Sequence, residues 1–293
     1  MLWFFLASGT ALCESLKDAI SKQALKSLDE YSVLMGLSTI GALMMCSFML
    51  LTEGLPKLGP DYGAALLVGG SLNILAFTLY FRAIRTADLS LTVPLITLTP
   101  LFLLVTSPII VQERPTGLDA IGVILLIIGS YILNSKPDQG ISLAPLKAIV
   151  TNSGSRTMLG VALIWSITAN YDKVGTLNSS SLFWGTSLLA TIAIGMVPLV
   201  IQKICQKGWP AIVQPLRVQA KFLALAGTLI AIGISLQFIA LTMAPVTQVI
   251  AVKRISALIS VGLGYIFFGE TDIKERLSGA AIMLSGVAIM AVD

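Results

Sequence analysis

The sequence predicts an all-α membrane protein with ten transmembrane helices arranged as two inverted five-helix repeats. Three observations predict it: the composition, the length of the apolar runs, and an internal likeness between the halves. Of 293 residues, 56% are hydrophobic and only 12% are charged, and the mean hydropathy is +0.90. A soluble domain carries about 25% charge and needs it to cover its surface. The apolar residues fall in runs of the length that crosses a hydrocarbon core, about 20 residues for ~30 Å. Helices are the spanning form, because each satisfies its own backbone hydrogen bonds in lipid. The ~10-residue alternation of barrel strands is missing from the sequence.

The elements follow in order. The first span, 2–24, starts at Leu2-Trp3-Phe4-Phe5 without a basic segment or small-residue cleavage site, so no cleaved signal peptide is expected. It carries Glu14, Lys17, Asp18 and Lys22 at i, i+3, i+4 and i+8, which puts them on one helix face. The second span, 32–52, ends before the turn residues Gly54-Leu55-Pro56 and Gly59-Pro60, and the third is 62–84. The fourth, 90–111, contains Pro94 and Pro100, which bend helices or mark hinges. The fifth is 117–134. A polar stretch at 135–156, opening Ser135-Lys136-Pro137-Asp138-Gln139-Gly140, reads as a linker. Beyond it lie 157–175, 181–202, 220–242, 246–268 (headed by Pro245) and 277–292. The expected division is therefore a first repeat at 1–134, the linker, and a second repeat at 157–293.

The halves resemble each other. Shifted by 157 residues, 79–134 lies on 236–291 without a gap: Phe81 on Phe238, Ala83 on Ala240, Ala87 on Ala244, Glu113 on Glu270, Gly122 on Gly279 and Gly129 on Gly286. With a shift of 151, Ala11-Leu12 falls on Ala162-Leu163, Ser15 on Ser166 and Lys22 on Lys173. A repeat with an odd number of spans enters the membrane in opposite directions in its two copies. That gives a pseudo-two-fold axis in the membrane plane, with a substrate site expected near the midplane at the repeat interface.

On these residues the chain resembles the drug/metabolite transporter superfamily, in its EamA-type ten-helix form. The resemblance rests on the two five-span repeats, on spans four and nine ending at Glu113 and Glu270, and on the Gly-rich fifth spans, Gly122 to Gly129 and Gly279 to Gly286. The segment Val249-Ile250-Ala251-Val252-Lys253-Arg254-Ile255-Ser256 is also similar to the Lys-Arg span of sugar-phosphate and nucleotide-sugar carriers in the superfamily. The resemblance implies that such a pair acts on phosphate. Two departures stand out: the first span is unusually charged, and Glu14 replaces the usual Trp near its middle. Trp165 holds the equivalent place in span six.

Ionisable residues at membrane depth are costly and need a partner or a water-filled cavity. Three clusters qualify: the span-one stripe, Asn170-Tyr171-Asp172-Lys173, and Lys253-Arg254. The bland readings are snorkelling of Lys22 and an interfacial Asp172-Lys173 pair. Lys253 and Arg254 resist such a reading, lying about 12 Å into their span at 1.5 Å per residue. A partnership of Glu14 or Asp18 with them is geometrically allowed. Across the three clusters cations outnumber acids, which favours an anionic or zwitterionic solute. The expected substrate-binding or coupling residues are Glu14, Lys17, Asp18, Lys22, Trp165, Asp172, Lys173, Gln237, Lys253 and Arg254. Asn73, Tyr80, Trp184 and Gln248 are further contacts, with interhelical hydrogen bonding as the bland alternative. Glu113 and Glu270 are expected to cap the helices that follow them.

Other functions lose ground. The chain has no His, and Cys13, Cys46 and Cys205 are isolated, so no metal or cofactor is expected. It lacks a Gly-rich phosphate loop, HExxH and GxSxG in a suitable setting, which argues against an enzyme and against direct use of ATP. The charge of +4 is spread over loops and does not point to nucleic acid. The expected function is a secondary transporter of a small polar metabolite working by alternating access, in the plasma (inner) membrane. Coupling to a proton, with Glu14 the best-placed carboxylate, or to a counter-solute is expected, and a homodimer is left open. A non-transporting membrane scaffold is the alternative, and a lipid enzyme the third. Loop Lys and Arg place both termini outside by the positive-inside rule, whereas the resemblance implies cytoplasmic termini.

Overall fold

The computed structural model describes residues 1–86, 95–133, 153–256, 258–259 and 273–292. Pro94, Glu270 and most of the 135–156 linker lie outside them. Ten helices are described: α1 Leu2–Ala24, α2 Glu30–Thr52, α3 Tyr62–Thr86, α4 Thr99–Ile110, α5 Gly117–Leu133, α6 Ser153–Leu177, α7 Ser181–Lys207, α8 Trp209–Leu241, α9 Val246–Lys253 and α10 Ile273–Val292. Four are long and apolar enough by themselves to cross a membrane, α2, α7, α8 and the Tyr62–Ala83 part of α3. Helix α1 carries the charged stripe, and three other apolar stretches, Thr99–Ile110, Gly117–Ile132 and Ser278–Ala291, are shorter. Large apolar side chains such as Phe48, Leu51, Leu67, Ile109, Ile121, Ile194 and Val218 face outward, while Asn73, Asp119, Asn170, Asp172 and Arg254 are buried. Apolar outside and polar within is the arrangement that lipid favours.

The helix pairings repeat about a dyad. Helix α1 packs on α8 and α6 on α3; α1 meets α9 as α6 meets α4. The equivalent pairs α2–α7, α4–α9 and α5–α10 pack against each other. The α5–α10 crossing is set by glycine. A Cβ on Gly122 would stand 2.6 Å from the Gly286 carbonyl oxygen, and one on Gly129 would stand 2.6 Å from that of Gly279. These are the four glycines that the repeat alignment matches, each meeting the other's counterpart, as an antiparallel crossing on a two-fold requires.

Two boundaries differ from expectation. Helix α8 begins at Trp209 rather than near 220, despite Pro215 inside it. The stretch after α7 is not a loop: Gly208, at φ 84°, makes the whole connection, and Pro210 sits in the first turn of α8, where its missing N–H costs nothing. Lys203 and Lys207 are thus on α7 and Arg217 on α8 rather than in a loop. Second, spans four and nine are not continuous. Turns at 97–98 and at 254–255 interrupt them, and these positions are equivalent under the 157-residue shift. Leu98 N donates to Leu95 O, and Ile255 N to Val252 O, i to i+3 bonds of the tighter 3₁₀ kind. Discontinuous helices facing each other at a repeat interface are where transporter sites are built.

Candidate functional site

The break in span nine carries two charged residues, and its counterpart in span four is uncharged. Helix α9 is eight residues long, roughly 12 Å, and delivers Lys253 and Arg254 at its C-terminal end. Cations there complement the negative end of the helix dipole. Lys253 Nζ lies 3.2 Å from Glu14 Oε2 on α1 and donates to Gln237 Oε1 on α8 at 2.9 Å. Arg254, 5% exposed, turns the other way. Its guanidinium donates to Thr99 Oγ1 at 3.0 Å, at the break in α4, and its carbon lies 5.7 Å from the centre of the Trp165 ring. Trp165 in turn packs on Tyr80 and Phe77, with centroids 5.1 and 5.5 Å away. On α1, Lys17 Nζ bonds Asp18 Oδ1 at 2.9 Å, and the Tyr80 hydroxyl donates to Asp18 Oδ2 at 3.4 Å. Six helices, α1, α3, α4, α6, α8 and α9, therefore contribute to one polar centre.

That centre is not electrically closed. Glu14 faces Lys253, and Asp18 faces Lys17. Arg254 has a hydroxyl and a ring face but no carboxylate within ion-pair distance among the described residues, and its buried Nε has no hydrogen-bond partner. The guanidinium is reached by the fields of Glu14 and Asp18 without pairing to either, and a fork of donors of this kind matches the geometry of carboxylate or phosphate.

Glu14, Lys17, Asp18, Trp165, Gln237, Lys253 and Arg254 thus come together, and Tyr80 joins them. Lys22 does not: it is exposed in the last turn of α1. Asp172 and Lys173 engage other partners. Asp172 is buried and accepts from Trp184 Nε1 of α7 at 3.1 Å, so it is not half of a surface pair. Lys173 forms an ion pair with Glu113 and donates to Ala244 O at 2.9 Å. Glu113 also departs from expectation. It accepts from Val246 N at 2.7 Å, capping α9 rather than the helix that follows it. Helix α5 already has its own cap: Thr116 N donates to Asp119 Oδ2 at 2.9 Å and Asp119 N to Thr116 Oγ1 at 3.1 Å, a reciprocal capping box. Asp119 also accepts from Gln248 Nε2 at 3.1 Å. Thr99 went unnoticed in the sequence; the signal for it is a hydroxyl in span four two residues beyond the repeat equivalent of Arg254.

An outward apolar surface, a dyad between two five-helix units and paired helix breaks, one of them charged, define a polytopic membrane protein of the inverted-repeat kind. The EamA-like transporter family model matches residues 1–135 and again 152–292, so the chain belongs to that family and is an integral membrane protein. Among solved structures with the same fold, one crystal structure of a protein aligns at a TM-score of 0.75 with 15% identity, covering 98% of this chain and 96% of its own. No curated protein matches the chain in sequence.

Proposed function

We propose that this membrane transporter moves a small anionic or zwitterionic metabolite by alternating access, with Arg254 and Lys253 holding its negative charge. The observation that carries the reading is Arg254, buried beside Thr99 and Trp165 without a carboxylate partner among the described residues. Lys253 supplies the second contact. It is shared between Glu14 and Gln237, so an incoming anion competes with Glu14 for the ammonium. A Glu14 displaced from Lys253 needs new compensation, and a proton supplies it. One proton would then travel with one anionic charge, which makes Glu14 the coupling group. Phe77, Tyr80 and Trp165 form an apolar wall for the uncharged part of the solute. Repeats at 1–134 and 157–293, joined by the 135–156 linker, would rock about the α5–α10 contact. The plasma (inner) membrane is the proposed location, and no catalytic role is assigned.

Purified protein in proteoliposomes, loaded in turn with inorganic phosphate, a dicarboxylate or an amino acid, tests this by counterflow of the radiolabelled solute. Saturable uptake is expected for a solute bearing carboxylate or phosphate. Arg254→Met and Lys253→Met should reach the membrane yet lose it, and Glu14→Gln should abolish its dependence on the proton gradient. Normal uptake kinetics in the Lys253→Met, Arg254→Met double variant would end the reading.

A further inference from the structure

The second polar network lies at the opposite end of α9 from the charged centre. Helix α9 has Pro245 at its N-cap and no side-chain cap of its own. Its first N–H, on Val246, would be an orphan. The carboxylate of Glu113, from the α4–α5 connection, takes that bond through Oε2 and holds Lys173 of α6 through Oε1. Lys173 reaches further, to the Ala244 carbonyl just before Pro245. One acid and one base from two different helical hairpins therefore pin the N-terminus of the short helix that ends in Lys253 and Arg254. Both side chains are largely buried, at 15% and 19% exposure.

The place of this clamp matters. In a chain of alternating spans, connections 2–3, 4–5, 6–7 and 8–9 lie on the face of the termini. The clamp ties 4–5 to 8–9 and to the end of α6. Nearby on the same face, Gly59 N donates to Asn178 O at 2.8 Å, tying connection 2–3 to 6–7. Toward the other face the charged stripe of α1 is more open on one side: Asp18 is 33% exposed and Lys22 is exposed, against 16% at Glu14 and 8% at Lys17. In the sequence the acid–base couple occurs twice, since Lys173 aligns with Lys22 and Glu113 with Glu270. Lys173 is engaged, while Lys22 is exposed.

We propose that Glu113 and Lys173 are the gate on the terminal face of the transport path: their pairing holds α9 in place and closes that face, and it must break once in each cycle. The inference rests on the transporter reading above. It makes Lys173 a positioning residue that acts through α9 and not a substrate contact.

The test uses the full-length chain with Cys13, Cys46 and Cys205 replaced by Ser and one new cysteine, Val246→Cys. The measurement is its rate of reaction with a membrane-impermeant, positively charged methanethiosulfonate. Val246 is fully buried, so labelling should be slow with the clamp intact. Glu113→Gln and Lys173→Met should each raise the rate from the terminal face at least tenfold. Lys173→Arg, which keeps the charge, should leave it within twofold. Ala162→Cys, fully buried in α6, reports global loosening and should stay unreactive in all variants. An unchanged rate at position 246 in both Glu113→Gln and Lys173→Met would overturn the gate. So would equal rises at 246 and 162, which would make the clamp a general brace. Flux of radiolabelled phosphate, dicarboxylate and amino acid in wild-type proteoliposomes is scored separately. Its absence would count against transport while the labelling still decides whether the clamp opens and closes.

Discussion

Removing Glu14 should damage the protein more than removing its partner Lys253. The two side chains are 16% and 19% exposed and their charges 3.2 Å apart, so neither is screened as a surface pair would be. Breaking a buried pair by deleting one partner costs about 3–5 kcal/mol, most of it the stranded charge. The stranded charges have different neighbours. In Lys253→Met, Glu14 keeps the fields of Lys17 and Arg254, both of which act on it, and the loss should fall to about 1–3 kcal/mol, below the full range for an unpaired charge. In Glu14→Gln, Lys253 keeps the Gln237 oxygen and the weaker fields of Asp18 and Asp172, and it faces the repulsion of Lys17 and Arg254. The full loss of about 3–5 kcal/mol is then expected. The Glu14→Gln, Lys253→Met double variant should lose less than the sum of the two single losses, with a coupling energy of about 1–3 kcal/mol in a double-mutant cycle. Equilibrium unfolding in mixed micelles of mild detergent and dodecyl sulfate, followed by far-ultraviolet circular dichroism, provides the free energies. If Lys253→Met costs as much as Glu14→Gln, or if the two losses add with coupling below about 0.5 kcal/mol, the electrostatic account of the centre is wrong.

Two further outcomes test the scaffold. Gly129→Ala places a methyl group 2.6 Å from both the Gly279 oxygen and the Met283 nitrogen; main chain cannot yield cheaply, so a loss of about 1–3 kcal/mol is expected, read as a lower midpoint of thermal unfolding in detergent, whereas Gly160→Ala, which meets nothing within 4 Å, should leave that midpoint unchanged or raised. The N-cap residue of α2, Asp29, lies outside the spans; burial pushes its carboxyl up, but the bonds from Lys203 and Ser32 outweigh it and hold it below its ordinary value. A lowered folded value means that its contribution is whole above the unfolded value, about 3.9, and fades as pH falls through the folded one. The gap between wild type and Asp29→Asn, on the order of 1 kcal/mol at neutral pH, should therefore close below about pH 4 in stability measurements.

The helices were legible in the sequence because membrane spans announce themselves locally. An apolar run of the right length needs no partner to be recognised, and α1, α2, α3, α5 and α7 begin within about two residues of expectation, as boundaries of this kind allow. The dyad was legible for a similar reason, since Gly122, Gly129 and Glu113 keep their spacing in the second repeat. What stayed hidden depends on contacts between distant segments. Nothing in the order of residues says that Asp172 meets the Trp184 indole while Lys173, its neighbour, turns to Glu113. Nor does it say that Glu113 skips its own helix to cap α9. The early start of α8 was masked by composition: Gln214, Arg217 and Gln219 look like a loop to a hydropathy scan, although they are good helix formers. The break at 97–98 is flanked by Pro94 and Pro100, the latter in the first turn of α4, whereas the break at 254–255 has no Gly or Pro beside it in the sequence.

The guanidinium of Arg254 over Trp165 also gives the centre a built-in fluorescent reporter. The protein has four tryptophans. Trp184 is sealed in the interior, Trp3 lies at the start of α1 and Trp209 at the start of α8; among the described residues, Trp165 is the tryptophan with a cation over its face. Indole emission responds to charge near the ring, and an anion that draws the guanidinium away alters the field that the indole feels. Subtracting the spectrum of a Trp165→Phe variant isolates this signal. Occupancy of the centre can then be followed in unlabelled protein, in detergent or in a bilayer, before any solute has been radiolabelled.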